Sequence, residues 1–472
     1  MEKRKNGQTL VYILVFGSGF LLIIFGLSNL FLSQYRQANQ QAALEKALDI
    51  AESGVNYFQW CLNNKKENEC QGEKDYYDSQ GRKVGKFEIS DTKTEGCGQT
   101  IRHEIISVGY TNQFPLLKRK IKAVFARPSV AYYSYLLNSN VWVGSDHEIK
   151  GPFHSNGGIR MDGENSSIVS SARQEWICGS LFEGTWASSF GCNPCPSKCT
   201  NKNGDCYCPG VFTTANGNEA LFQFPVLSFP FEKIAIDLNQ LKQLAQSKGI
   251  YLGPSSSQKG YHLVFLDDGR LEIREIQTLR AVMGFYYGEG SRANYFIIDG
   301  ERTIKTLNIP TSCSVIFVED NVWPEGKISG SITLAAANLT DPNATTSAIL
   351  RGNIEYKNKD TDSFTLIARN NILISPDSPD YMELAGIYIA QRGRFGRNHY
   401  PESLYQYREK LEIKGSIVSN GRVGTKWIYD DGSWASGYNK RETIYEPRLL
   451  YCSPSFTPAL EADFHLIGWQ EE

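Results

Sequence analysis

The sequence predicts a mainly β protein carried on one long N-terminal α-helix. That helix is transmembrane and then amphipathic; a small antiparallel sheet follows it, then an interrupted parallel β-solenoid-like domain with an α+β insertion. Three observations lead there. An uncharged apolar run, Leu10–Leu32, lies behind the basic cluster Lys3, Arg4 and Lys5. Short strand-like runs punctuated by Gly or Asn fill the chain beyond residue 128. Two of those runs are near-copies of one another.

The apolar run contains Leu10, Ile13, Leu14, Leu21, Leu22, Ile23, Ile24 and Leu32 and exceeds the roughly 20 residues that span a hydrocarbon core of about 30 Å. Three cations precede it and none follows until Arg36, so positive charge assigns the N-terminus to the cytoplasm and the bulk of the chain to the outside. A secretory signal would have a shorter apolar core and a small-residue cleavage site, whereas Ser33-Gln34-Tyr35-Arg36-Gln37 follows here. A retained single-pass membrane anchor is the expectation. Past the membrane run, Leu44, Leu48, Ala51, Val55, Phe58 and Leu62 recur at spacings of four and three, which draws one apolar stripe along a continuing helix.

Gly7-Gln8-Thr9-Leu10, the apolar run, and then the stretch Ala42–Val55 with its Ala51-Glu52-Ser53-Gly54 ending together resemble the start of PilX-type minor pilins of bacterial type IV pilus systems. The resemblance covers about residues 3–60. It implies leader cleavage at Gly7, lateral contact with other pilins or pilus assembly proteins, and a place on the pilus or cell surface. Tyr12 stands where major pilins carry a glutamate that pairs with a neighbouring subunit's amine, so the resemblance is to a minor subunit.

At 472 residues the chain has room for several domains, and 41% hydrophobic residues supply real cores. Net charge is −2, from 49 basic and 51 acidic residues, so no nucleic-acid partner is expected. The helix takes residues 1–64. Residues 65–127 read as a small β pilin-like head: Lys83–Ile89 and Ile101–Val108 are rich in β-formers, and Lys118, Lys120 and Lys122 alternate along the next run as one wet face.

Beyond Arg127-Pro128-Ser129, the run Glu148-Ile149-Lys150-Gly151-Pro152-Phe153-His154-Ser155-Asn156-Gly157 returns as Glu412-Ile413-Lys414-Gly415-Ser416-Ile417-Val418-Ser419-Asn420-Gly421. Asn140-Val141-Trp142-Val143 is echoed by Asn321-Val322-Trp323-Pro324. Short strands with Gly and Asn at tight corners are the grammar of a parallel solenoid, whose thin coils bury a core only by stacking. The wide separation of the copies implies coils interrupted by large insertions: a first β-coil segment over 128–212, an α+β insertion over 213–310, a second β-coil segment over 311–430 and a loop-rich tail over 431–472. An irregular β-sandwich is the alternative.

The first interruption, 176–210, carries Cys178, Cys192, Cys195, Cys199, Cys206 and Cys208. Such density means a disulfide knot or a metal site. An oxidising compartment favours the knot, and Cys206-x-Cys208 does not match the usual second pair of a zinc ribbon. Cys61, Cys70 and Cys97 offer one more bridge with one left over, while Cys313 and Cys452 are distant. In 213–310, helical spacing over Phe231–Ser247 ends at Gly249, and Tyr261–Leu266, Asp267-Asp268-Gly269 and Leu271–Ile273 read as a hairpin.

No phosphate-cradling Gly-Lys-Ser/Thr loop, Gly-x-Ser-x-Gly elbow or His-Glu-x-x-His helix is present in the sequence. His147 and His154 read as polar strand positions, and Asp267-Asp268-Gly269 and Asp430-Asp431-Gly432 as turns. A non-enzymatic protein without cofactor or metal is the expectation. It is tethered to the membrane and acts in pilus assembly or adhesion, with a surface glycan or protein as a possible ligand. The alternative is a membrane-tethered solenoid polysaccharide lyase or hydrolase.

Overall fold

The computed structural model describes residues 6–97, 99–180, 190–192, 194–234, 237–286, 289–341, 343–429 and 432–472. The chain forms two compact units: Met1–Thr94, Arg102–Ala126 and Asp463–Glu472 make one, and Glu95–Ile101 with Arg127–Ala462 make the other.

In the first unit a single helix runs from Asn6 to Asn63. Its apolar half is bare, and its second half is buried against a five-stranded antiparallel sheet. The expected stripe is present at Ala51, Val55, Phe58 and Leu62, but Leu44 and Leu48 lie at its margin. The face that touches the sheet is built from smaller residues, Ala43, Ala47, Ala51 and Gly54, together with Ile50. The reason is close approach. A Cβ on Gly54 would run into Ser107 Oγ, and one on Gly109 into the Ala47 carbonyl. The Ser107 hydroxyl donates to the Ala51 carbonyl at 2.8 Å. On the strand Lys118–Ala126, Ile121, Ala123 and Phe125 are buried while Lys120 and Lys122 face out to Glu472 and Glu104. The C-terminal stretch, read as loop, contributes the strand His465–Glu471, which pairs antiparallel with Lys118–Ala126. Cys61 is bonded to Cys70.

The second unit is a stack of parallel strands, and its order is not chain order. One ladder runs Ile250–Leu252, Val315–Val318, Ser331–Ala336, Ser363–Ala368, then the C-terminal parts of Tyr381–Ala390 and Tyr407–Ser419. It continues with Tyr135–Leu137, Phe153–Ser155, Val169–Ser171 and Phe222–Gln223. The coils made first thus stack on the coils made last. The two repeat copies, far apart in sequence, are separated in this ladder by Tyr135–Leu137 alone.

Register stacks like on like. Ile316, Leu334, Leu366, Tyr388, Ile417, Tyr135, Phe153 and Val169 form one inward column of the main core, with Val318, Ala336, Ala368 and Ala390 two positions on. Each buried large side chain contributes about 1.5–3 kcal/mol, and only stacking provides the burial. The alternate positions, Phe317, Ala335, Ile367, Ile389, Val418 and Leu136, form a second cluster covered by the helix Leu238–Ser247 through Leu241 and Ala245. That helix starts at Leu238 rather than Phe231, because the Asp237 carboxylate accepts from the Asn239 and Gln240 N–H groups. Phe231–Ile234 is a separate 3-10 turn.

The expected hairpin is present, with Gly269 at positive φ, but both its strands belong to the stack edge. Tyr261–Phe265 pairs parallel with Val322–Ile328, and its free side is taken by Arg270–Tyr286. The latter pairs with Gly290–Asn308 in an antiparallel ribbon far longer than a simple turn predicts. The ribbon caps an edge that would otherwise offer unpaired backbone groups. Cys97 is bonded to Cys313, so it is not left over; the exposed Cys452 is the free one.

Candidate functional site

A cleft of about 1060 Å³ lies between the ribbon and one corner of the stack. Its floor is a hydrogen-bonded ladder that follows from stacking. Asn321 Oδ1 accepts the Ser347 N–H at 2.8 Å, Ser347 Oγ accepts the Asn371 N–H at 3.3 Å, and Asn371 Oδ1 accepts the Arg394 N–H at 2.9 Å. At such a corner the backbone leaves the sheet ladder, and a side-chain amide supplies the missing acceptor. Asn140 does the same for Gly158 at 2.7 Å, so the Asn-Val-Trp echo marks equivalent corners.

The wall is the ribbon, with Leu279, Tyr286, Asn294, Tyr295 and Phe296. Trp323 is buried there and donates from Nε1 to the Phe296 carbonyl at 2.8 Å. Arg394 sits at the base, only 4% exposed, its guanidinium carbon 3.4 Å from the centre of the Tyr286 ring. One terminal amine bonds Asn398 Oδ1; Asn398 Nδ2 donates to Asn294 Oδ1 at 2.6 Å. Arg394 Nε and Nη1 have no hydrogen-bond partner among the described residues. Burial pulls the Arg394 pKa down to about 10, so the group remains a cation at neutral pH. Lys259, Arg292 and Arg392 also line the cleft, against one carboxylate among the described lining residues, Glu289, which is ion-paired to Arg292. The arrangement can hold an anion.

A second charged cluster joins the ribbon to the strands Tyr261–Phe265 and Val322–Ile328. His262 Nδ1 is 2.7 Å from Glu301 and its Nε2 is 3.1 Å from Glu325, and Arg274 bonds Glu301 at 2.6 Å. Burial works to raise both carboxyls, but the bonds from Arg274 and His262 to Glu301, and from His262 to Glu325, hold them below their ordinary value. Neither is poised to donate a proton.

No family model matches the chain, and no curated protein matches it. Among solved structures it is similar to the competence-associated pilin ComZ from Thermus thermophilus, at 10% identity and a TM-score of 0.30, over 84% of this chain and 86% of that one. At that score two chains need share neither fold nor role.

The residues singled out in the sequence are scattered. Leu10, Ile13, Leu14, Leu21, Leu22, Ile23, Ile24 and Leu32 are each at least 43% exposed on the one described helix long and apolar enough to cross a membrane. The basic cluster lies outside the described residues, as do the surroundings of Gly7 and the pair Asp430-Asp431. The six clustered cysteines pair as Cys178–Cys192, Cys195–Cys206 and Cys199–Cys208 around a small core containing Trp176, Phe190 and Phe212. Their sulfurs lie close together across the bridges, with Cys178, Cys192 and Cys208, and Cys199, Cys206 and Cys208, each within 4.8 Å of one another. His147 and His154 are each satisfied locally, His147 by Thr443 at 3.1 Å and His154 by Ser170 at 3.0 Å and Asn156 at 3.1 Å. The cleft residues carried no sequence motif. Its only trace was the run of Asn-initiated strands.

Proposed function

We propose that this is a membrane-anchored, non-enzymatic surface protein of the minor-pilin kind, acting in pilus assembly or adhesion. Its apolar half-helix holds it in the lipid, and its parallel stack presents the cleft to a ligand outside the cell. The observation that supports this most directly is the division of one helix: Leu10–Leu32 is unburied by protein, while Ala43–Leu62 is packed into its own antiparallel sheet. Exposed apolar surface of that extent requires lipid or another apolar helix around it. A free helix half of this kind also supports lateral contact with other pilins. The experiment is N-terminal sequencing of the mature protein together with protease treatment of spheroplasts. A start at Gln8 and digestion of the bulk from outside support the reading; a start at Met1 with a protected bulk overturns it.

The alternative, a tethered polysaccharide lyase or hydrolase, draws on the Glu301–His262–Glu325 cluster. Release of reducing ends from neutral or acidic polysaccharides by the wild type, abolished in Glu325→Gln, would favour it over display.

A further inference from the structure

We infer that the cleft binds an acidic polysaccharide strand, with Arg394 receiving a uronate carboxylate at its base. This rests on the proposed exposure of the stack outside the cell. Arg394, a residue 4% exposed whose Nε and Nη1 have no partner among the described residues, is costly, because a buried charge needs both a counter-charge and satisfied hydrogen bonds. No carboxylate of the described chain supplies them. Asn398 engages one amine and the Tyr286 ring covers one face, so the cation is held in a fixed orientation before any ligand arrives.

The rim repeats the sign. Lys259 and Arg392 line the same cleft and have no ion-pair partner among the described residues, while Arg292 is already matched by Glu289. The volume is just above the roughly 300–1,000 Å³ usual for small-molecule sites, which suits a run of sugar units better than one small acid. Tyr295 on the wall is 57% exposed and offers a ring face to a sugar, and Asn370 adds an amide for hydroxyl groups. A nucleic-acid strand is a poorer match. Such strands are followed by a track of surface cations with successive exposed stacking rings, whereas here one cation is deep and Trp323 is sealed by its own bond.

The test uses the full-length protein in detergent micelles, titrated calorimetrically with an oligogalacturonate, its methyl ester and a single-stranded oligonucleotide of equal charge. The acid is expected to bind at least tenfold more tightly than the ester, with affinity falling as salt rises. Lys259→Ala and Arg392→Ala, at sites outside the buried core, should each weaken it several-fold. Arg394→Gln should weaken it at least tenfold with an unchanged circular dichroism spectrum. Equal binding of acid and ester, absence of binding by the acid, or wild-type affinity in the Lys259 and Arg392 variants overturns the inference; so does tighter binding of the oligonucleotide. Protease protection in spheroplasts, with acid binding intact in micelles, would instead remove the display reading and leave the ligand class standing.

Discussion

Glu148 lies directly opposite Glu442 in neighbouring parallel strands, and Lys150 bridges them at 3.3 Å and 2.9 Å. The pattern continues along the stack. Glu442 faces Glu412 with Lys410 between them, and Glu412 faces Glu383 with Lys414 between them. Carboxylates one strand spacing apart, about 4.8 Å, would repel without the interleaved lysines.

That ladder makes stability pH-dependent with a definite sign. Bonds from Lys150 and Lys410 depress the Glu442 carboxyl, and Lys410 and Lys414 depress Glu412. The folded-state values lie below the unfolded ones, so the contribution is complete above the ordinary value of 4.5 and is lost as pH falls through the lower folded value. Glu442→Gln is expected to cost about 1 kcal/mol or less at pH 7, since the pairs are partly solvated. Thermal midpoints of the two proteins should converge by pH 3. A gap that stays constant down to pH 3 would contradict the ladder's role.

Burial of His147 acts over a different window. Desolvation, with Arg441 nearby, drops its pKa from 6.5 to about 3, so it is neutral in the fold. The unfolded chain therefore binds one more proton between those values, and stability falls as pH drops from about 6.5 toward 3. Urea midpoints followed from pH 7 to pH 4 should decline less steeply in His147→Gln than in the wild type. Parallel declines would show that His147 is not the titrating group.

Among the five disulfides, Cys97–Cys313 closes a sequence separation of 216, against 9 to 14 for the others. Loop-closure entropy assigns it about 5 kcal/mol, and about 3 kcal/mol to Cys61–Cys70. Replacing Cys97 and Cys313 together by Ser should lower the denaturation midpoint more than replacing Cys61 and Cys70. The reverse order would mean that the unfolded chain is already restricted elsewhere.

Gly415 has φ +131° and stands opposite Gly386 at φ +136°; a Cβ there would strike the Gly386 carbonyl. Gly415→Ala combines backbone strain with a steric clash, so a loss of several kcal/mol is expected. Gly424→Ala, with nothing within 4 Å of the added carbon, should be close to neutral. Equal soluble yields for the two variants would refute this.

Elements carried by local chemistry were legible: the apolar run, Gly415 and Gly151 at positive φ, the Asp-Gly turn at Gly269, and Asn140 and Asn321 at equivalent corners. Three features were not. The helix face against the sheet includes Ala43, Ala47 and Gly54, which a hydrophobic stripe undercounts because they serve by being small. Cys97 and Cys313 meet through tertiary structure that no spacing encodes. Arg394 follows the ordinary-looking Gly393, and nothing local distinguishes it from Arg392, which is exposed. Its burial depends on a ribbon strand whose length the Asp-Gly turn does not set.

The pairing of Tyr135–Leu137 with the end of Tyr407–Ser419 has a consequence for biosynthesis. Ribosomes deliver the early strands hundreds of residues before the surface that receives them, and loop closure over that distance is slow. The early segment stays unpaired, with its β-prone edges open to aggregation, until the late strands are made. A chaperone that shields those early strands during synthesis would therefore set the yield of this protein more than its final stability does.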